Sequence, residues 1–302
     1  MPTREGAEGL DGLITESRRA NGDYGSLSTQ ELVELMNAED ASVPAAVGAV
    51  AEELAVAVDA IAERLATGGR LHYVGAGSSG AIAALDADEC GATFSTAPGQ
   101  VVALVAGAGL SGAEREAAED DGDAGKRAVE ELGVNERDAV VGISASGRTP
   151  YVLGAVDAAA AAGAVTVAVV STPDSPLAQA AEHEVAVVVG PEVISGSTRL
   201  KAGTAQKLVL NTISTLAMIR LGKTFGDLMV DVRASNEKLE ARARRVVREA
   251  AGVSDDEARE ALAAADGSAK VAVVSLLAEL DPDAARVRLE QAGGNIDAAL
   301  RP

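Results

Sequence analysis

"RLHYVGAGSSG" occupies residues 70–80. A short apolar run stops at Gly75, Gly77 and Gly80, with Ser78 and Ser79 between them. The next residues, "GAIAALDADEC" (80–90), have the composition of a helix. A strand that turns through glycines into a helix is the unit of a parallel sheet, because parallel strands need crossover connections.

The same unit recurs on both sides. "VVALVAG" (101–107), "DAVVGISAS" (138–146), "VTVAVVS" (165–171) and "HEVAVVVG" (183–190) read as strands. Helical segments over 114–132, 150–163 and 176–182 separate them, and a long helix starts within "GPEVISGSTRLKAGTAQK" (190–207). Upstream, Ser28 and Glu31 form a capping box for a helix over 29–37. A longer helix over 43–65 carries Val50, Leu54, Val58 and Ile61 on one stripe. Residues 1–25 read as a polar arm. After about residue 245 the strands stop. Ser254 and Glu257 make a second capping box, Asp281-Pro282 an N-cap with proline at the first helical position, and Gly293-Gly294 a break. The expected fold is α/β: a doubly wound, mostly parallel five-stranded sheet with N-terminal helices and a small C-terminal three-helix domain. The expected divisions are 1–45, 46–245 and 246–302.

Composition narrows the function. The 302 residues carry a formal net charge of −20, which argues against nucleic acid or an anionic membrane as partner. Aromatics are only 2% of the chain, so the core must be Ala, Val, Leu and Ile. Cys90 is the single cysteine, so there is no internal disulfide and no cysteine-rich metal site. With His72 and His183 as the only histidines, a histidine-based zinc site is not expected. His72 lies inside a strand and should be packed; His183 opens one and should be exposed. No window resembles a signal peptide or a spanning helix, so a cytoplasmic protein is expected.

Ligands of an open parallel sheet bind outside the carboxyl ends of its strands. Three such ends here combine glycine with hydroxyls: 75–80, Ser144-Ala-Ser-Gly-Arg-Thr149, and 190–207. Glycine lets backbone approach a ligand, free helix-start N–H groups favour an anion, and Ser and Thr add donors without bulk. That suits a phosphate. A dinucleotide site fits less well: the third glycine of GxGxxG is misplaced, and the second strand ends in Ala106-Gly107 without an acid.

These loops resemble the SIS (sugar isomerase) fold. More narrowly, "GPEVISGSTRLKAGTAQK" resembles the signature shared by N-acetylmuramic acid 6-phosphate etherases and the glucokinase regulatory protein. "ITESR" near residue 14, "LDADEC" (85–90), "ASGRTPYV" (145–152), "GKTFGDLMVDV" (222–232) and "NEKL" (236–239) extend the likeness over nearly the whole chain. The chain is about half as long as the regulatory protein. The resemblance implies cleavage of the lactyl ether of a phosphorylated amino sugar, giving N-acetylglucosamine 6-phosphate and D-lactate, with no cofactor or metal. It also implies a homodimer, in which a neighbouring subunit can complete the pocket, and a UBA-like C-terminal domain. A sugar-phosphate isomerase and a non-catalytic sugar-phosphate sensor are the alternatives.

Ether cleavage at C3 is eased by an aldehyde at C1, which acidifies the C2 proton; the site then needs a proton acceptor and a proton donor. Composition alone does not separate Glu89 from Asp86 or Asp88, nor Glu119 from the acids around it. The resemblance does: Glu89 in "LDADEC" inherits the donor role and Glu119 in "REAAEDDGD" (115–123) the partner role. It assigns substrate binding to Ser78, Ser79, Ser144, Ser146 and Thr149, with Ser197 and Lys201 for the sugar or the lactyl carboxylate. Three departures stand out: Asp88 beside the acid, Gly91-Ala92 for a proline pair, and Ala81 for a basic residue.

Overall fold

The structure is a computed structural model that describes residues 13–18, 23–231 and 237–301. Most of the polar arm, and Val232 and Asn236 of the two late motifs, lie outside the described residues. The chain divides into two compact units, residues 1–87 with 99–213, and residues 88–98 with 214–302. It passes from one to the other inside two long helices.

The first unit opens with a short turn of helix at Ile14–Glu16, then α1 (Thr29–Asp40), α2 (Val43–Gly48) and α3 (Ala51–Ala66). The Ser28–Glu31 capping box is present in full. The single helix expected over 43–65 is two: Val50 stands at the joint, as the N-cap of α3. The sheet consists of β1 (Leu71–Gly75), β2 (Val101–Val105), β3 (Ala139–Ser144), β4 (Val165–Val170) and β5 (His183–Ala186). All pairings are parallel and the spatial order is β2-β1-β3-β4-β5. The crossover helices are α4 (Gly77–Phe94), α5 (Gly112–Ala117) with α6 (Gly122–Glu131), α7 (Pro150–Ala161) and α8 (Pro176–Ala180); α9 (Lys201–Arg220) follows β5. Gly91 and Ala92 lie inside α4, which runs through them to Phe94; prolines there would remove backbone donors.

Strand residues alternate between faces. Val74, Val140, Ala168 and Val170 join Val129, Val152, Val156 and Leu177 in one buried cluster on the α6–α8 side. None of the buried residues of α3 (Leu54, Val58, Ile61, Leu65) belongs to it, so α3 takes the other face. On that face the buried Tyr73 hydroxyl donates to Asp86 Oδ2 of α4 at 2.9 Å, and Asn211 Nδ2 of α9 donates to Asp86 Oδ1 at 2.5 Å. α6 and α7 are in backbone contact. A Cβ at Gly125 would stand 1.9 Å from the Tyr151 carbonyl oxygen, and one at Gly154 2.0 Å from that of Gly122.

At the amino ends of the strands, Asp138 accepts from the Arg70 backbone N–H at 2.8 Å and from its Nη2 at 2.7 Å. His72 is packed as expected, with no exposed surface. His183 is more covered than expected, its side chain 20% exposed and its Nε2 3.8 Å from Glu182. β5 continues past it for three residues rather than seven.

The second unit holds an antiparallel pair, β6 (Thr224–Phe225) and β7 (Leu228–Met229), which the sequence did not suggest. Then come α10 (Glu237–Ala251), α11 (Asp255–Ala264), α12 (Ala269–Leu277), α13 (Pro282–Gln291) and the one-turn α14 (Ile296–Ala299). The Ser254–Glu257 box and the Asp281 cap form as expected. Val230, Val247, Val271–Val274, Leu289 and Ile296 make its core. Asp231 holds Lys223 at 2.7 Å and Lys270 at 3.2 Å.

Candidate active site

With strand order 2-1-3-4-5, the chain leaves β1 in one direction for β2 and returns past it to β3. The gap beyond the carboxyl ends of β1 and β3 is therefore the switch point, where such sheets bind ligands. Gly75 pairs in register with Ile143, so the glycine–serine loop and the serine–threonine loop leave neighbouring strand ends.

The first loop is tighter than a loop. Gly77 (φ +51) already begins α4, and Ser78 and Ser79 form its first turn. Glycine is required around it: a Cβ at Gly80 would be 2.6 Å from Val105 Cγ1 and 2.9 Å from the Gly75 carbonyl oxygen. The Gly80 N–H is taken by the Ala76 carbonyl. The N–H groups before it are those a helix leaves without an internal acceptor, and the helix dipole favours an anion there. Ser78 is exposed and Ser79 half-buried. Ser79 Oγ lies 2.9 Å from Oε1 of Gln206 on α9.

In the second loop the hydroxyls meet. Ser144 Oγ is 2.9 Å from Thr149 Oγ1 and 3.3 Å from Ser146 Oγ, and it accepts from the Gly147 N–H at 3.1 Å. Ser144 is 3% exposed, so it organises the loop from beneath; Ser146 and Thr149 face outward, half-buried. Gly147 (φ +65) passes over Ser175, where a Cβ would be 2.0 Å from Oγ.

The helix expected over 114–132 is broken. α5 ends at Ala117, a 3-10 turn covers Ala118–Asp120, and Asp121 caps α6 by accepting from the Ala124 N–H. Glu119 stands in that break. Its carboxylate lies against the first loop: a Cβ on Gly77 would be 3.0 Å from Glu119 Oε1. Partial burial, and then the neighbouring Asp120 carboxylate, push the Glu119 pKa up, with Arg115 opposing. An acid with a raised pKa, set against the donor loop at a switch point, is suited to moving a proton near a bound anion.

Other expected residues are placed differently. Glu89 stands on an exposed face of α4, three residues beyond the buried Asp86. Lys201 is 4% exposed, and its ammonium is bonded to Glu39 Oε2 at 2.8 Å. Ser197 is half-buried in a turn before α9. The helix start in this third stretch is already filled. Glu192, 1% exposed, accepts from the N–H groups of Lys201 and Ala202 at 3.0 Å each. Ser195 donates to the Glu16 carbonyl at 2.6 Å. So 190–207 brings its own anion to its helix, and the Ser195 hydroxyl ties its turn to Ile14–Glu16. Sequence reasoning missed both Glu192 and Gln206. A glutamate nine residues before a helix has no recognisable capping spacing, and a glutamine inside a helix gives no signal. Among the described residues, no group of three or more His, Cys, Asp or Glu side chains is arranged to hold a metal.

A sheet of this order, with paired hydroxyl loops at its switch point, fits the SIS class of α/β fold. The SIS domain model matches residues 38–171, and a second SIS domain model matches 127–216. In solved structures, a phosphoheptose isomerase from Francisella tularensis shares the fold at a TM-score of 0.51 and 17% identity, over 64% of this chain and 100% of that one. Curated relatives are far more similar. The N-acetylmuramic acid 6-phosphate etherases of Rubrobacter xylanophilus and Streptomyces coelicolor are 54% and 53% identical, covering 97% and 96% of this chain and 97% and 94% of theirs. The chain belongs to the N-acetylmuramic acid 6-phosphate etherase family.

Proposed function

We infer that this chain is a carbon–oxygen lyase that cleaves the lactyl ether of N-acetylmuramic acid 6-phosphate, releasing D-lactate and N-acetylglucosamine 6-phosphate. The phosphoryl group sits at the α4 N-terminus, held by the first-turn N–H groups with Ser78 and Ser79, and by Ser146 and Thr149 over Ser144. The sugar opens to its C1 aldehyde. Glu119 takes the C2 proton, the C3–O bond breaks, and the lactate oxygen leaves with a proton. Water then adds to C3 of the C2–C3 double bond and a proton returns to C2, so atoms balance as one water consumed.

The observation that carries this reading is the position of Glu119 against Gly77, which sets a partly buried acid beside the anion cradle. Glu89 takes the donor role on the family pattern "LDADEC". Lys201, already paired with Glu39, acts in shaping the α9 start rather than on free ligand. A homodimer in the cytoplasm completes the proposal: Leu216 and Ile219 lie one turn apart on α9, 40% and 42% exposed. No described helix is long and apolar enough to cross a membrane. The role of the phosphorylated sugar in cell-wall recycling follows from the same substrate.

The test is incubation with N-acetylmuramic acid 6-phosphate in heavy water. The expected result is equimolar D-lactate, and a sugar product with deuterium at C2. An isomerase would release no lactate, and a sensor would bind the sugar and leave the ether intact; either result would overturn the assignment.

A further inference from the structure

Within the first unit, one buried polar group next to the first loop lacks a partner. Gln206 is 3% exposed; its Oε1 accepts from Ser79 Oγ at 2.9 Å, while its Nε2 has no hydrogen-bond partner. The residue is held firmly in place, because α9 packs closely on α4: a Cβ on Gly203, one turn earlier, would be 3.5 Å from Ile82 Cδ1.

In this arrangement Ser79 spends its single proton on the glutamine, and two amide N–H bonds go unused in a dry place. A half-turn of the amide exchanges oxygen and nitrogen in nearly the same shape. Nε2 then donates to Ser79 Oγ, and the Ser79 proton is released on the half-exposed side of the residue. A phosphoryl oxygen only accepts, so Ser79 can serve it only in the turned state. Bound anion and turned amide favour each other through one chain of bonds, amide N–H to serine oxygen and serine O–H to phosphoryl oxygen, each polarising the next.

We propose that Gln206 is a positioning residue for the sugar phosphate, turning its amide on binding so that Ser79 becomes a donor. This rests on the reading that Ser79 faces the phosphoryl group. A simple structural role for the residue would be met by any side chain that fills the space.

Gln206→Met separates the two, since it keeps the volume and removes the unpartnered donors. Four proteins are compared: the native chain, Ser79→Ala, Gln206→Met and the double variant. Affinity for N-acetylglucosamine 6-phosphate is measured by calorimetry, kcat and KM by D-lactate release, and Tm alongside. Loss of one charge-assisted bond predicts about tenfold weaker binding for each single variant. The double variant binds no more weakly than Ser79→Ala, Tm of Gln206→Met is held or raised, and KM rises more than kcat falls. Native affinity in Gln206→Met, or losses that multiply in the double variant, would overturn the proposal. If the native chain releases no lactate, the etherase assignment fails while the binding cycle still decides the role of Gln206.

Discussion

Glu119 and Gly77 are in contact across the switch point: the carboxylate oxygen Oε1 occupies the space beside the glycine, 3.0 Å from where a Cβ would stand. Gly77 also has a positive φ, +51, so two requirements fall on one residue. Gly77→Ala must strain the first turn of α4 and push Glu119 away. The strain costs about 1 kcal/mol, a small loss of stability for a domain of this size. The expected kinetic effect is larger, roughly a hundredfold in kcat, because displacing a catalytic group by about 1 Å has that consequence. Near-native kcat with a lowered Tm would separate Gly77 from the chemistry.

The raised pKa of Glu119 fixes a direction in pH. As the proposed base it must be ionised, so kcat/KM should fall as pH drops through its pKa, with that acid limb above the usual glutamate value. Asp120→Asn removes one cause of the rise and should move the limb to lower pH. Unmoved or moved upward, the limb belongs to another group.

His72 makes stability depend on pH. Burial first, then the Arg70 charge, lowers its pKa from 6.5 to about 4, against the pull of Asp138. The unfolded chain therefore takes up a proton below about pH 6.5 that the folded chain refuses until about pH 4. Stability is fully present above 6.5 and falls as pH drops across that window, by roughly 3 kcal/mol in all. Burial alone would raise the Asp138 pKa, but hydrogen bonds from Arg70 and the Asn135 N–H outweigh it and hold it low, which works in the same direction at lower pH. Denaturant melts at pH 7 and 5 test this; His72→Asn should flatten the dependence.

Glu192 caps α9 with two buried hydrogen bonds. Glu192→Ala leaves two buried N–H groups dry and should cost about 2–4 kcal/mol. If those positions instead served the ligand's carboxylate, removing Glu192 would tighten binding, and calorimetry distinguishes the outcomes.

The close approach of α6 and α7 bears on the same acid, since the turn holding Glu119 leads into α6. Gly154→Ala places a Cβ 2.0 Å from a backbone oxygen that has no side-chain freedom to yield. The expected loss is about 1–3 kcal/mol, with reduced turnover. A folded, fully active variant would show that α6 can shift without disturbing Glu119.

Much of this was legible in the chain. The five strands are apolar runs ended by glycine or serine, and the crossovers between them required parallel pairing, whereas the order β2-β1-β3-β4-β5 was not readable from them. The hydroxyl loops after β1 and β3 suggested an anion site, and the structure sets them at neighbouring strand ends. What was not legible depends on tertiary contact. In "EREAAEDDGD" (114–123) only the Asp121-Gly122 pair signals a turn, and one such pair does not by itself end a helical run. The break comes from Asp121 capping α6 and from the packing of Gly122 and Gly125 on α7. In the third stretch the hydroxyls and lysine pointed to a ligand, and composition did not show that Glu192, within the stretch, bonds the helix start or that Glu39, distant in sequence, pairs with the ammonium. Single-chain patterns do not reveal which acid will reach which donor.

The most direct measurement of the central claim is the rate of D-lactate release from N-acetylmuramic acid 6-phosphate by Glu119→Gln, beside its affinity for N-acetylglucosamine 6-phosphate. The account predicts that release falls by at least about a hundredfold while binding stays within a few-fold of native. Release at the native rate would contradict it.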